Sequence, residues 1–256
     1  MAPPRSSARV KERLSLTEVL AALEAAGTEQ ARKTYRRHGA PEPVFGVAFS
    51  VLKTLSKRIG TDHELACALW DTGIFDARNL AVKVVDPRQM SLKCIDAWGR
   101  SSQVAMCMGY VACVAFESAH SLECVESWLK DASPAVRASG WNLVSALALR
   151  DEMLPDSWME ARVVTIQEQI HAAPNVERGP MNSALIALGC HNPALRASAT
   201  AAALKIGPVE VDHGDTACET VDAAPRIQKT WDHSLAKGFA SPAAHERSRE
   251  SMRTRC

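Results

Sequence analysis

Aromatic residues are scarce in this sequence, at 5% of the chain. Alanine and leucine are plentiful, a balance that favours helix over sheet. No segment alternates apolar and polar residues between hairpin turns, which argues against a β fold. No apolar run approaches the roughly eighteen residues of a membrane span. The opening stretch, residues 1–9, lacks the apolar core of a secretory leader, so a cytoplasmic location is expected. None of the eight cysteines (67, 94, 107, 113, 124, 190, 218, 256) forms a CxxC pair. Most lie in apolar helical runs, where reduced core thiols are the default and a disulfide frame is not. A Walker loop, a GxGxxG turn and a nucleophile elbow are also missing, so no cofactor is expected.

Net charge is nearly absent too, at +1 over 256 residues, but it is unevenly spread. Residues 1–14 carry +3, from Arg5, Arg9, Lys11 and Arg13 against Glu12. Residues 233–256 carry another +3, from Lys237, Arg247, Arg249, Arg253 and Arg255 against Glu246 and Glu250. The stretch between them is left at −5. A nucleic-acid binder must neutralise phosphates. With an acidic body, such a site has to be a local patch or the tails.

What the chain does have is a recurring helix start. Ser133-Pro134-Ala135-Val136-Arg137-Ala138-Ser139 and Asn192-Pro193-Ala194-Leu195-Arg196-Ala197-Ser198 nearly match, and Asp76-Ala77-Arg78-Asn79-Leu80-Ala81 is a looser third. Arg137 follows Arg78 by 59 residues, and Arg196 follows Arg137 by 59. Ser133 and Asn192 read as N-caps, with Pro134 and Pro193 at the first helical position, where no N–H is needed. The arginine falls where it can pair with a neighbouring unit, and the small residues beside it allow close helix packing. Such recurrence predicts an all-α fold, an α-solenoid of antiparallel helix pairs. The period exceeds one two-helix repeat, so further helices must lie between the marked ones.

In chain order, residues 1–14 read as a disordered basic tail. Ser15 and Glu18 form a capping box, and Thr28 caps a second helix carrying Arg32, Lys33, Arg36 and Arg37. Arg32 with Arg36, and Lys33 with Arg37, lie one turn apart and project as a cluster. This is the strongest basic patch, open to two readings: phosphate contact, or a solvated face whose cations suit the helix C-terminus. A helix over 45–59 turns Lys53 and Lys57 outward. A run over 103–116 is apolar on all sides and is expected to be buried. Asp212, His213, Asp215 and Cys218 form the one dense cluster of ligand-type side chains; the favoured reading is a loop tying up its own backbone, not a metal site. Residues 15–231 are expected to be the repeat domain, and 232–256 a disordered basic tail.

A set of short motifs carries a family resemblance. They are Leu16-Thr17-Glu18-Val19-Leu20, Gly27-Thr28-Glu29-Gln30, Tyr35-Arg36-Arg37-His38-Gly39, Val44-Phe45-Gly46-Val47, Thr61-Asp62-His63, Leu69-Trp70, Asp76-Ala77-Arg78, Gly140-Trp141-Asn142-Leu143, Pro180-Met181-Asn182, Val209-Glu210-Val211-Asp212 and Asp215-Thr216-Ala217-Cys218. With the ending Arg253-Thr254-Arg255-Cys256, the sequence resembles the bacterial AlkD-like DNA alkylation-repair proteins. The resemblance implies HEAT-like helical repeats in a C-shaped arch, with a basic concave face that cradles duplex DNA. It also implies excision of N3- or N7-alkylated purines by a cleft of aromatics, an aspartate and an arginine. A carboxylate there would stabilise the oxocarbenium-like sugar, and aromatic faces would hold a cationic base.

The chain departs from that pattern in the cleft. The family's Trp-x-x-x-Asp falls on Val104 and Met108, its arginine near Ala138 with Arg137 adjacent, and a later tryptophan on Ser183. The expectation is therefore a monomeric DNA-binding protein, non-catalytic or atypical, with no catalytic residue and no metal. Its candidate contacts to duplex or alkylated DNA are Arg32, Lys33, Arg36, Arg37, Lys53, Lys57 and Arg137. Two alternatives stand beside it: an active alkylpurine DNA glycosylase, and a protein-interaction scaffold without a nucleic-acid role.

Overall fold

Polar caps decide where the helices begin. In this computed structural model, which describes residues 13–102 and 105–255 (the side chains of 105 and 106 excepted), Ser15 Oγ accepts from the Glu18 N–H at 3.3 Å and Glu18 accepts from the Ser15 N–H at 2.8 Å. That capping box opens α1 (Leu16–Ala25), and Thr28 caps α2 (Glu29–Arg37). Asp62, Ser91, Asn192 and Ser241 cap α4 (His63–Asp71), α6 (Leu92–Ser101), α12 (Pro193–Ile206) and α14 (Pro242–Arg247) in the same way. Between them lie α3 (Phe49–Ile59), α5 (Phe75–Val84), α7 (Ala105–Glu117), α8 (Ser121–Trp128), α9 (Pro134–Arg150), α10 (Asp156–Gln169), α11 (Asn175–Gly189) and α13 (Ala223–Ala236). No strand occurs among the described residues. The expected tail over 1–14 falls, for residues 1–12, outside them.

From α4 onward the helices stack as HEAT-like pairs: α4 with α5, α6 with α7, α8 with α9, α10 with α11, α12 with α13. The second helices pack side by side in the order α3, α5, α7, α9, α11, α13. The core runs between this layer and the first helices, through Leu80, Ile95, Trp128, Leu143, Leu147, Met159 and Ile166, all essentially inaccessible. Each such side chain contributes on the order of 2 kcal/mol through burial. The tryptophans serve this core. Trp70 and Trp98 stack with centroids 4.1 Å apart, and Gly99 lets Trp128 lie against α6, since a Cβ there would sit 2.4 Å from the indole. From Ala105 onward the apolar run forms α7, and its residues 107, 108 and 111–115 are buried; Gln103 and Val104 lie outside the described residues.

Four sequence expectations need correcting. Residues 45–48 are not helical: Asp76, itself buried, accepts from the N–H groups of Phe45 (2.6 Å), Gly46 (3.2 Å) and Val47 (2.8 Å). Asp76 thus pins a non-helical turn in which Gly46 takes a φ of +79°, and α3 starts at Phe49. The sequence reads as a turn at Pro174-Asn175 followed by a helix from Met181 to Leu188, but helix α11 begins at Asn175 and continues through Pro180. Proline there forfeits one early i to i−4 bond, and the contacts of Glu177 and Arg178 described below hold the first turns. Ser133 makes no side-chain cap bond; Asp131 accepts the Ser133 N–H at 2.8 Å instead. Lastly, residues 232–255 are not a disordered tail. They finish α13, form α14 and run back over the repeats, because Arg253 and Glu246 find partners there.

Replacing Asp76 with Ala leaves three backbone donors without their acceptor and is expected to lower the unfolding free energy by about 3 kcal/mol or more. Urea denaturation followed by helical circular dichroism measures this.

Candidate nucleic-acid interface

Where a first helix ends, its last carbonyls lack intrahelical partners. An arginine on the second helix binds carbonyls at that end or in the loop that follows it. Arg78 on α5 donates to Trp70 O at 3.2 Å and lies 5.0 Å from the Trp70 ring centroid. Arg137 on α9 donates to Asp131 O (2.7 Å) and Ala132 O (3.0 Å). Arg178 on α11 donates to Ala173 O (2.8 Å) and His171 O (3.2 Å). The structural series is therefore Arg78, Arg137, Arg178. Arg196, which the even spacing selected, lies on the first helix of its pair, donating to Gln228 at 2.7 Å beside Trp231. Arg178 could have been found: Pro174-Asn175-Val176 parallels Pro134-Ala135-Val136, with the arginine one residue later.

Arg137 does more than brace a loop. Its Nε and Nη2 grip Glu177 of the next pair at 3.0 and 2.6 Å, and Glu177 is buried. The hydrogen bonds to Glu177 raise the Arg137 pKa above its ordinary value. This pair lines a cavity of about 610 Å³ between α8 and α10, with Trp141 and Met181. Glu126 bridges that seam to Trp158 Nε1 (3.2 Å) and Arg162. Burial works against the Glu126 charge, but Arg162, Trp158 and Lys130 hold its carboxyl below the usual range.

The other side of the second-helix layer is different. Residues 138, 142, 145 and 149 share one stripe of α9 at helical spacing. Asn142, Ser145 and Leu149 line a second cavity, of about 520 Å³, with Gly109 and Cys113 of α7, Ser183 and Ile186 of α11, and Arg226 and Thr230 of α13. Glu246 and Met252 close it from the C-terminal segment. Burial pushes the Cys113 thiol up to about 12, so it is neutral. Of the positions where the cleft residues were expected, Ser183 lines this cavity, while Met108 and Ala138 are buried. Asp96 accepts from Trp128 Nε1 (3.0 Å) and Arg100 (2.7 Å), and Glu117 is bound by Arg253 at 2.8 Å.

With this geometry in place, the comparisons decide the lineage. The sequence model of the family described as "DNA alkylation repair enzyme" matches residues 19–215. The chain belongs to that family. It is similar to the uncharacterized proteins Lin0241 of Listeria innocua and Lmo0209 of Listeria monocytogenes. Each is 26% identical over 204 residues, covering 77% of this chain and 88% of the relative. It is also similar to a solved structure, 28% identical with a TM-score of 0.78, covering 88% of this chain and 95% of the other. That protein is described under "a new family of proteins related to the HEAT-like repeat DNA glycosylases with affinity for branched DNA structures".

Within this family member the predicted cations divide. Arg32 pairs with Glu29 at 3.1 Å and Arg36 with Glu42 at 2.6 Å. Lys33 and Arg37 are exposed on α2. Lys53 and Lys57 lie on α3, in the same layer as α5. Arg137 stands apart, occupied by Glu177 and two loop carbonyls. The Asp212 loop fastens itself: Asp212 accepts from the Gly214 N–H (2.8 Å), Thr216 Oγ1 donates to His213 O (2.9 Å), and Asn175 bonds the Asp212 backbone on both sides. Among the described residues no helix is long and apolar enough to cross a membrane.

Arg137→Ala strands Glu177 in the interior and is expected to cost about 3 kcal/mol of stability. Adding Glu177→Ala should recover part of that loss, measured as a double-mutant cycle in denaturant.

Proposed function

We propose that this protein binds duplex DNA at branched or damaged sites, as a monomer, along the second-helix layer, without cleaving the glycosidic bond. Two findings support DNA as the ligand: membership of the DNA alkylation repair enzyme family and the likeness to a relative with affinity for branched DNA. The observation that carries the non-cleaving part is the composition of the layer's open face. It presents Gly109, Cys113, Asn142, Ser145 and Ser183, with the charged Arg150, Arg226 and Glu246 at its margin. Glycosidic cleavage builds positive charge on the sugar, which a nearby carboxylate stabilises. The acids next to this face, Glu117 and Glu246, are instead bound by Arg253, Arg150 and Arg255.

Affinity in this reading comes from cations meeting phosphates. Lys33 and Arg37, exposed on α2, are the first contacts in this reading, with Arg32, Arg36, Lys53 and Lys57 as further contributors. Arg137 is left out because Glu177 neutralises it. Gel shifts with a four-way junction and a linear duplex, at two salt concentrations, test the proposal. Binding is expected to favour the junction and weaken as salt rises. Arg36→Glu with Arg37→Glu is expected to weaken binding to every sequence and to flatten the salt dependence by about two units of slope. Release of methylated purine by the pure protein would overturn the non-catalytic reading, and a missing shift at low salt would overturn the DNA reading.

A further inference from the structure

The C-terminal segment, residues 237–255, lies where the proposed function needs an open surface. Helix α14 packs on α9, and Ala243 N–H donates to Cys190 O at 3.1 Å at the end of α11. The chain then crosses to α7 and α5. Arg150 on α9 donates to Glu246 Oε1 and Arg249 O, both at 3.3 Å. Met252 reaches α7 beside Gly109, its Cε 3.8 Å from the point a Cβ would occupy. Arg253 ends the crossing, nearly buried. Its Nε donates to Glu117 (2.8 Å) and its Nη1 to Val82 O (2.8 Å) and Lys83 O (3.3 Å), while Lys83 Nζ donates to Arg253 O (2.8 Å). The segment thus covers parts of three successive second helices and occupies two of their cations, Lys83 and Arg150.

The fastening is ionic more than apolar. Glu246 alone faces Arg150, Arg249 and Arg255, and Met252 stays 45% exposed. The segment itself carries Lys237, Arg247, Arg249, Arg253 and Arg255 against Glu246 and Glu250, a net +3. A polyanion competes for such contacts on both sides, offering phosphates to Lys83 and Arg150 and to the arginines of the segment.

We propose that residues 249–255 are an autoinhibitory strap over the DNA-binding face, displaced when DNA binds. This rests on the DNA reading above. The test compares the full chain with a version ending at Ser248, by fluorescence anisotropy with a four-way junction and a linear duplex. The truncation removes Arg249, Arg253 and Arg255 with Glu250, so lost charge alone predicts weaker binding. Release of the face predicts the opposite sign, tighter binding by about tenfold, because the closed population no longer competes. Arg253→Ala in the full chain is the companion variant, expected to shift affinity the same way, with thermal melting to establish that both proteins remain folded. Hydrogen exchange over 249–255 should rise when DNA is added to the full chain. Equal or weaker binding by both variants, or protection of the strap by DNA, would overturn the strap while leaving the DNA reading intact. No binding by any of the three proteins would sink both.

Discussion

The architecture depends on one recurring contact: an arginine near the start of a second helix, folded back onto the carbonyls of the loop before it. A guanidinium has five donors in a fixed fork and no acceptor, so it suits a cluster of unpaired carbonyl oxygens. Arg78, Arg137 and Arg178 do this in three of the five stacked pairs. Each fixes the turn between the helices of its pair. All three also reach the next pair or the loop beyond it: Arg78 through Ser101 O at 3.2 Å, Arg137 through Glu177, and Arg178 through Glu210 O at 3.2 Å. These groups point toward the first helices and their loops, while the opposite face of the second-helix layer carries small and neutral side chains together with the cations Lys83, Arg150 and Arg226.

That division gives the two sides different chemistry. The seam between α8 and α10 holds paired charges, Arg137 with Glu177 and Arg162 with Glu126, and the larger cavity. Volume alone would point to it, yet each charge there is already answered by a neighbour. The face beyond α9 holds hydroxyls, an amide, glycine and a neutral thiol, with Arg150, Arg226 and Glu246 among them. It is the face the C-terminal segment crosses.

Much of the site was legible in residue types and spacing. Arg32, Lys33, Arg36 and Arg37 sit on one short helix, and their clustering needs only the 3.6-residue turn. The carboxylates that temper them are nearby in sequence too, Glu29 and Glu42. Arg137 could be recognised as a unit-to-unit contact, but not which residue it would hold. Its partner is forty positions away, on a helix whose start was obscured by Pro180. The even spacing of Arg78, Arg137 and Arg196 was true of the sequence and misleading about the fold, because α12 begins a pair whereas α5 and α9 complete one.

By itself the sequence determined the all-helical class, most helix starts and the burial of α7, since caps and apolar periodicity act within a few residues of chain. Tertiary structure alone decided which helices share a layer, that Asp76 would hold residues 45–47 out of a helix, and that Arg253 would close against Glu117 some 136 positions earlier. The reason is physical: an arginine in a polar tail reads as solvated until the fold supplies a carboxylate and carbonyls at the right distance, and neither is marked in the residues around it.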